Sequence, residues 1–319
     1  MAVIFAVSDK RLKLLWGVNN VNTIWSENIQ GILNLDLSRE MRFRDDRKEL
    51  FLNLLGLKEG MTIVDIGCGP GTITRKLSKW LDQKSQIIGI DRDSNFINYA
   101  KEKAAIQGLN NICYYEGDAL KLPLENNSVD SCISHTVIEH VPNREFLLEQ
   151  KRICRSNGRV NVMYARPDKY IKTETDISLK QCEREKELLD KLFKGTEDID
   201  KKNNIGKYWP DPVGLPKLFE ETGFKNVQVD AIAVPIAIDD SRNCYDEKLA
   251  MVEAERQQMF EVIEMGLRIN NNGLTDKELI ELRQLIDIRF DKRISFIKEG
   301  ISIWDYSILL MQIVSGMVE

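Results

Sequence analysis

The chain has 319 residues, 43% of them hydrophobic, enough for one large domain or for one core domain with decorations. A formal net charge of −5 offers no basic field to a nucleic acid, so no nucleic-acid partner is expected. Six cysteines without a Cys-x-x-Cys pair and only two histidines, His135 and His140, exclude a disulfide framework and a zinc site and point to a reducing, cytoplasmic compartment.

The opening stretch Met1–Val7 is apolar, but it is too short for a signal peptide and no basic residue precedes it. Residues up to about 55 carry a helical pattern, with Ser26 and Ser38 as expected N-caps. The cluster Arg39, Arg42, Phe43, Arg44 runs straight into Asp45 and Asp46, which favours a local salt-bridge network over a grip on an anionic substrate. From 57 to 165 the signals alternate. Strands are predicted at 61–66, 86–90, 112–115, 129–134 and 159–164, and helices at 71–81, 94–107 and 143–154. Short apolar strands separated by amphipathic helices give a doubly wound, mostly parallel α/β sheet with helices on both faces.

Past 165 the rhythm breaks. A charged stretch, 168–206, holds one expected helix at 179–193; a helix at 212–222 and a strand at 227–236 follow. Two long amphipathic helices, 247–268 and 276–297, are joined by the turn-forming tract Asn270-Asn271-Asn272-Gly273. The apolar tail 301–318 is interrupted by Asp305 and is shorter than the roughly 20 residues a membrane span needs, so a core strand at 302–314 is expected. The organisation is therefore an N-terminal helical extension or cap (1–56), a nucleotide-fold core (57–167), a lid insertion (168–206), a core helix and strand (207–238), a helical insertion serving as lid or homodimer face (239–300) and a last core strand (301–319). The apolar stripe Leu249, Val252, Met259, Phe260, Ile263 is read as core in the first instance.

Three acids fall at the ends of successive strands, where ligands of such sheets bind. Asp65 precedes the first glycine of the turn Gly67-Cys68-Gly69-Pro70-Gly71 by two positions. Glycines there admit left-handed backbone and close approach of a ligand, and the following helix offers free N–H groups. The spacing is Gly-x-Gly-x-Gly, not the Gly-x-Gly-x-x-Gly of dinucleotide folds. A carboxylate beside a pyrophosphate is repulsive; beside an ammonium or a sulfonium it is not, which favours S-adenosylmethionine over a nicotinamide cofactor. Asp91, followed by Arg92, ends the second strand and suits the ribose hydroxyls, while Asp93 is free to cap the next helix. Asp118 and Ala119 after the third strand suit the adenine, through a carboxylate acceptor and a backbone N–H.

Together these segments resemble class I S-adenosylmethionine-dependent methyltransferases of the small-molecule, ubiquinone-biosynthesis-like (type 11) branch. The resemblance rests on Val64–Gly71, on Gly89-Ile90-Asp91-Arg92-Asp93, on Gly117–Pro123, on Ser134–Val141 and on Glu149–Arg159. Ser156-Asn157-Gly158 stands where that family usually has Pro-Gly-Gly, a change that Asn tolerates because it enters left-handed turns. The resemblance implies a seven-stranded Rossmann-like sheet with the last strand antiparallel, and a small-molecule acceptor. It covers about a third of the chain and is silent on the extension and the insertions.

Methyl transfer is an in-line displacement on an activated carbon, so alignment supplies most of the catalysis and a general base is optional. His135, just after the fourth strand, is the candidate base or pocket wall and a cofactor neighbour; His140 is the lesser candidate. Trp25, Arg42, Tyr164, Tyr170 and Trp209 are candidates for the substrate pocket, with Phe43 and Trp25 closing over the cofactor. The competing readings are a nicotinamide-dependent oxidoreductase and a non-catalytic cofactor- or partner-binding protein of the same fold.

Overall fold

The computed structural model describes residues 25–28, 30–194, 207–270 and 273–319. In chain order, after a helical turn at Trp25–Asn28, come α1 (Ile32–Arg42), α2 (Lys48–Leu55), β1 (Thr62–Ile66), α3 (Thr72–Trp80), β2 (Gln86–Asp91), α4 (Ser94–Ile106) and β3 (Ile112–Glu116). Then follow β4 (Val129–His135), α5 (Asn143–Ile153), β5 (Cys154–Ala165), β6 (Ile171–Thr173), α6 (Glu183–Leu192) and α7 (Gly214–Glu221). The series closes with β7 (Lys225–Ala237), α8 (Tyr245–Ile269), α9 (Asp276–Lys298) and β8 (Tyr306–Met317).

The strands form one sheet in the order β3-β2-β1-β4-β5-β8-β6, with β7 also paired to β8. The pairs β1–β2, β1–β4, β2–β3 and β4–β5 are parallel, and β8 runs antiparallel to β5. The sheet has eight strands where seven were expected. The extra strand, β6, is three residues long, and a segment so short and partly charged leaves no alternating pattern to read.

The chain divides into two compact units. The Rossmann-like unit holds residues 38–167, 206–233 and 310–319. Its central strands are covered on both faces, so β1 reads as an apolar run and Ile63, Val64 and Ile66 are fully buried. One core cluster joins β4 and β5 to α5 and α7 through Cys132, Val162, Phe146, Leu147 and Phe219. Asn157 sits at φ 63°, the left-handed turn its side chain tolerates, and its N–H donates to the Val318 carbonyl at 2.8 Å.

Among the described residues, the helical unit holds 25–28, 30–37, 168–194, 234–270 and 273–309. The two stretches expected as separate insertions thus belong to one unit, and the N-terminal extension divides within α1 instead of ending at 56. Its core is made by α6, α8 and α9 through Leu188, Val252, Ile263, Leu282, Ile286 and Phe290, so the stripe read from the sequence of α8 packs inside the unit. Helix α9 starts with a capping box, in which Glu278 accepts from the Thr275 N–H at 2.9 Å and Thr275 accepts from the Glu278 N–H at 3.3 Å. Neither serine expected as an N-cap acts as one. Ser38 lies inside α1, fully buried, and Ser26 lies inside the turn at Trp25–Asn28. The opening stretch Met1–Val7 and part of the asparagine tract lie outside the described residues.

Candidate functional site

The strand order reverses between β1 and β4, and the glycine turn leaves β1 at that switch point. The Gly67 and Cys68 N–H groups both donate to the Ile90 carbonyl, at 2.7 and 3.0 Å, folding the turn against β2. Gly71, at φ 77°, has no room for a side chain: a Cβ there would lie 2.6 Å from the Tyr114 hydroxyl and 2.8 Å from Ala100. This contact seats α3 against α4 and β3, and so fixes where the first N–H groups of α3 point.

The acids differ sharply in environment. Asp65 is buried at the end of β1, and its Oδ2 has no hydrogen-bond partner among the described residues. Burial, then the charge of Asp91, pushes its pKa up to about 7, against the pull of Arg39 and of the Thr74 N–H. Asp91 is half-buried, and its two oxygens accept from Gly69 N–H at 2.8 Å and Asp93 N–H at 2.9 Å. Burial raises its pKa also. Asp93 caps α4, accepting from Asn95 and Phe96 N–H at 2.9 and 3.4 Å. Asp118 is exposed and accepts from Leu120 N–H at 2.9 Å, a self-contained turn; Ala119 beside it is half-buried and Arg92 is exposed. The Cys68 thiol is buried and held well above its ordinary range by burial and then by Asp91 and Asp65, so it is no nucleophile.

A second buried polar group follows β4. His135 is 3% exposed, its Nε2 lies 3.5 Å from Arg42 Nη1, and Phe43 meets its ring edge-on at 5.1 Å. Burial and then Arg39 and Arg42 hold its pKa well below the usual imidazole value, so the ring is neutral at pH 7. Thr136 stands at φ 57°, unusual for a β-branched residue, and accepts from Arg39 Nη2 at 2.9 Å. Glu139 is fully buried in the turn Ile138–His140, and neither of its oxygens bonds to another residue among those described. Burial raises its pKa to about 7, with Arg39 and Arg42 pulling the other way. His140 is held near 3, by burial first and then by Arg92 and Arg39.

Several expected residues stand elsewhere. Arg39 and Arg42 are buried and turned toward Thr136 and His135. Arg44 pairs locally, with Asp46 at 3.1 Å, while Asp45 takes Trp80 Nε1 at 2.7 Å and Lys76 at 3.3 Å. Tyr164 is no pocket wall: it is fully buried in the core cluster with Phe146 and Phe219. Phe43, expected over the cofactor, is a core residue packed on Phe51 at 4.8 Å. Trp209 is half-buried in a turn that Asn143 anchors by donating to the Tyr208 carbonyl at 3.0 Å. Trp25 and Tyr170 belong to the helical unit. Sequence reasoning missed Glu139 and underrated Arg39. The available signal was an acid inside the apolar run Val137-Ile138-Glu139-His140-Val141, and an arginine one helical turn ahead of Arg42.

A parallel sheet of this order, a glycine turn at its switch point and acids at successive strand ends define a nucleoside-cofactor-binding α/β enzyme. The family described as a methyltransferase domain matches residues 57–211. The chain is 28% identical over 198 residues to the demethylmenaquinone methyltransferase of Staphylococcus aureus, covering 57% of this chain and 76% of that one. A crystal structure of an S-adenosylmethionine-dependent methyltransferase from Aquifex aeolicus matches at 25% identity and a TM-score of 0.45, over 62% of this chain and 88% of that one. The phosphoethanolamine N-methyltransferase 2 of Haemonchus contortus, in complex with S-adenosyl-L-methionine, shares the fold at 15% identity and a TM-score of 0.50, over 93% of this chain and 58% of that one. The chain carries a class I S-adenosylmethionine-dependent methyltransferase domain and is an S-adenosylmethionine-dependent methyltransferase acting on a small molecule. The nicotinamide and non-catalytic readings are set aside by the same matches.

Proposed function

We propose that Asp65, Gly67, Cys68, Gly69 and Gly71 hold the methionine portion of S-adenosylmethionine, Asp91 and Arg92 its ribose, and Asp118 and Ala119 its adenine. The observation that carries this reading is the unpartnered Oδ2 of buried Asp65. A buried carboxylate oxygen without a donor is costly, and an ammonium group is the partner that relieves it and restores the charged form. When bound, the cofactor supplies a methyl group on an electrophilic sulfonium carbon.

The chain's own residues then align the acceptor, exclude water and handle its proton. We assign the proton to Glu139, whose pKa of about 7 matches the operating pH of a general base. His135, held neutral, serves as a hydrogen-bonding wall and not as the base. Arg39 and Arg42 sit close enough to favour the charged form of Glu139 once the proton has left.

For the acceptor we take a quinone-type ring as first candidate, by likeness to the Staphylococcus aureus relative. We take the cytoplasm as its compartment, on the six scattered cysteines without a Cys-x-x-Cys pair; among the described residues no helix is long and apolar enough to cross a membrane. The net charge of −5 speaks against a nucleic-acid acceptor. A homodimer would use the exposed Ile280 and Ile288 of α9, and sedimentation would detect it.

The test is calorimetric titration with S-adenosylhomocysteine, with a reduced nicotinamide dinucleotide as control, followed by incubation with methyl-labelled cofactor and reduced demethylmenaquinone. Binding with label transfer supports the whole reading. Binding without transfer removes this acceptor and keeps the cofactor site. Absence of binding sinks the assignment of the three acids.

A further inference from the structure

The helical unit contains a cavity of about 70 Å³, and every residue that lines it belongs to that unit. None of them is in the cofactor or proton-handling set. Arg293 of α9 lines it, 5% exposed, anchored by donation from Nη2 to Asp239 at 2.8 Å. Asp239 in turn accepts from the Ile303 and Trp304 N–H groups, so the anchor is rigid. The Nε and Nη1 groups of Arg293 have no hydrogen-bond partner among the described residues. A buried guanidinium does not leave N–H groups unmet at no cost.

Two carboxylates line the same cavity. Asp305 lies 3.6 Å from Arg293 Nη2, too far for a hydrogen bond, and its buried Oδ1 lacks a donor. Glu255 of α8 also lines the cavity, half-buried. The other charges are already matched: Arg289 pairs with buried Glu185 at 2.7 Å, and Lys172 pairs with Glu174. Ile236 and Phe290 supply apolar wall.

The unmet donors of Arg293 and the unmet Oδ1 of Asp305, side by side in one cavity that Glu255 also lines, ask for a ligand carrying both signs. One water needs roughly 10–15 Å³ of such space, so the cavity takes about five or six non-hydrogen atoms. We infer that the helical unit binds a small zwitterion of the amino-acid class, the size of glycine or alanine, with its carboxylate on Arg293 and its ammonium facing Asp305 and Glu255. This inference is independent of the methyl-transfer assignment, because it uses no residue of that site.

The experiment is titration of the full chain, in the presence of saturating S-adenosylhomocysteine, with glycine and L-alanine. N-acetylglycine, which keeps only the carboxylate, and glycinamide, which keeps only the ammonium, are the controls. Saturable binding of either amino acid is expected, with both controls at least about tenfold weaker, the scale of one lost charge-assisted hydrogen bond. Arg293→Met should abolish binding; because that change also strips Asp239 of its partner, Glu255→Gln is the second variant and should weaken binding about tenfold with the fold intact. The inference is overturned if neither amino acid binds, if either control binds as well as glycine, or if Glu255→Gln leaves the affinity unchanged; the cavity then holds water only.

Discussion

The two units treat buried charge in opposite ways. In the helical unit the buried acids are paired: Glu185 with Arg289 at 2.7 Å and Asp239 with Arg293 at 2.8 Å. In the Rossmann-like unit, among the described residues, Asp65 keeps one oxygen without a hydrogen-bond partner, Glu139 bonds to no other residue, and each is pushed to about 7. A paired buried acid serves the fold, since removing one partner strands the other. An unpaired one costs stability, and such a cost is typical of positions where a ligand or a proton completes the group. The cavity around Arg293 is a place where the helical unit resembles the other in this respect.

The contrast can be broken most sharply at Glu139. Glu139→Gln should lower kcat by roughly 10²–10⁴-fold for an acceptor that loses a proton, while raising the melting temperature at pH 7.5, because the uncharged amide no longer resists burial. Single-turnover rates and melting curves on the same samples check both halves; unchanged kcat would remove Glu139 from the mechanism. Glu185→Ala should do the reverse. It destabilises by about 3–5 kcal/mol, as expected for one half of a buried ion pair, and its effect is read from denaturant midpoints.

Asp65→Asn should weaken S-adenosylhomocysteine by about 1.5–3 kcal/mol, the scale for a hydrogen bond to a charged group, as measured by calorimetry. Equal affinity in wild type and variant would mean that the cofactor's amino group lies elsewhere. Linkage gives a related pH signature. Both carboxylates titrate near 4 when unfolded and near 7 when folded, so the folded state binds more protons between those values. Stability from these two groups is therefore full below pH 4 and is lost as pH rises toward 7. The double variant Asp65→Asn/Glu139→Gln should flatten that decline in melts from pH 4 to 8, and an unchanged slope would refute the raised values. The smallest effect is expected at Asp118→Ala. An exposed turn acid should change stability by within about 0.5 kcal/mol, and a larger loss of melting temperature would show that its turn matters to the fold.

Much of this was legible in the residues themselves. Strand-end acids, glycine spacing and alternating apolar runs are local signals with a fixed geometric meaning, and β1 to β5 stand within a few residues of their expected bounds except for the early start of β5 at Cys154. Asp93 as the cap of α4 and Asn157 as the left-handed residue follow from their own side chains. The pocket aromatics were not legible, because an aromatic after a strand has the same local signature whether it faces a cleft or the core. Tyr164 went to the core through contacts with Phe146 and Phe219, residues 18 and 55 positions away in sequence.

Sequence alone thus determined the fold class, the cofactor and the position of the glycine turn, since each depends on residues a few positions apart. Tertiary structure decided which charges are met. Arg39 and Arg42 are turned inward by helix α1, toward Thr136 and His135 some ninety-odd positions away. Asp65 Oδ2 and the Glu139 carboxylate lack a partner residue among those described because the packed sheet buries them away from the side-chain donors nearby. Burial and the geometry of long-range partners set a carboxyl group's charge, and neither is encoded in the spacing of adjacent residues.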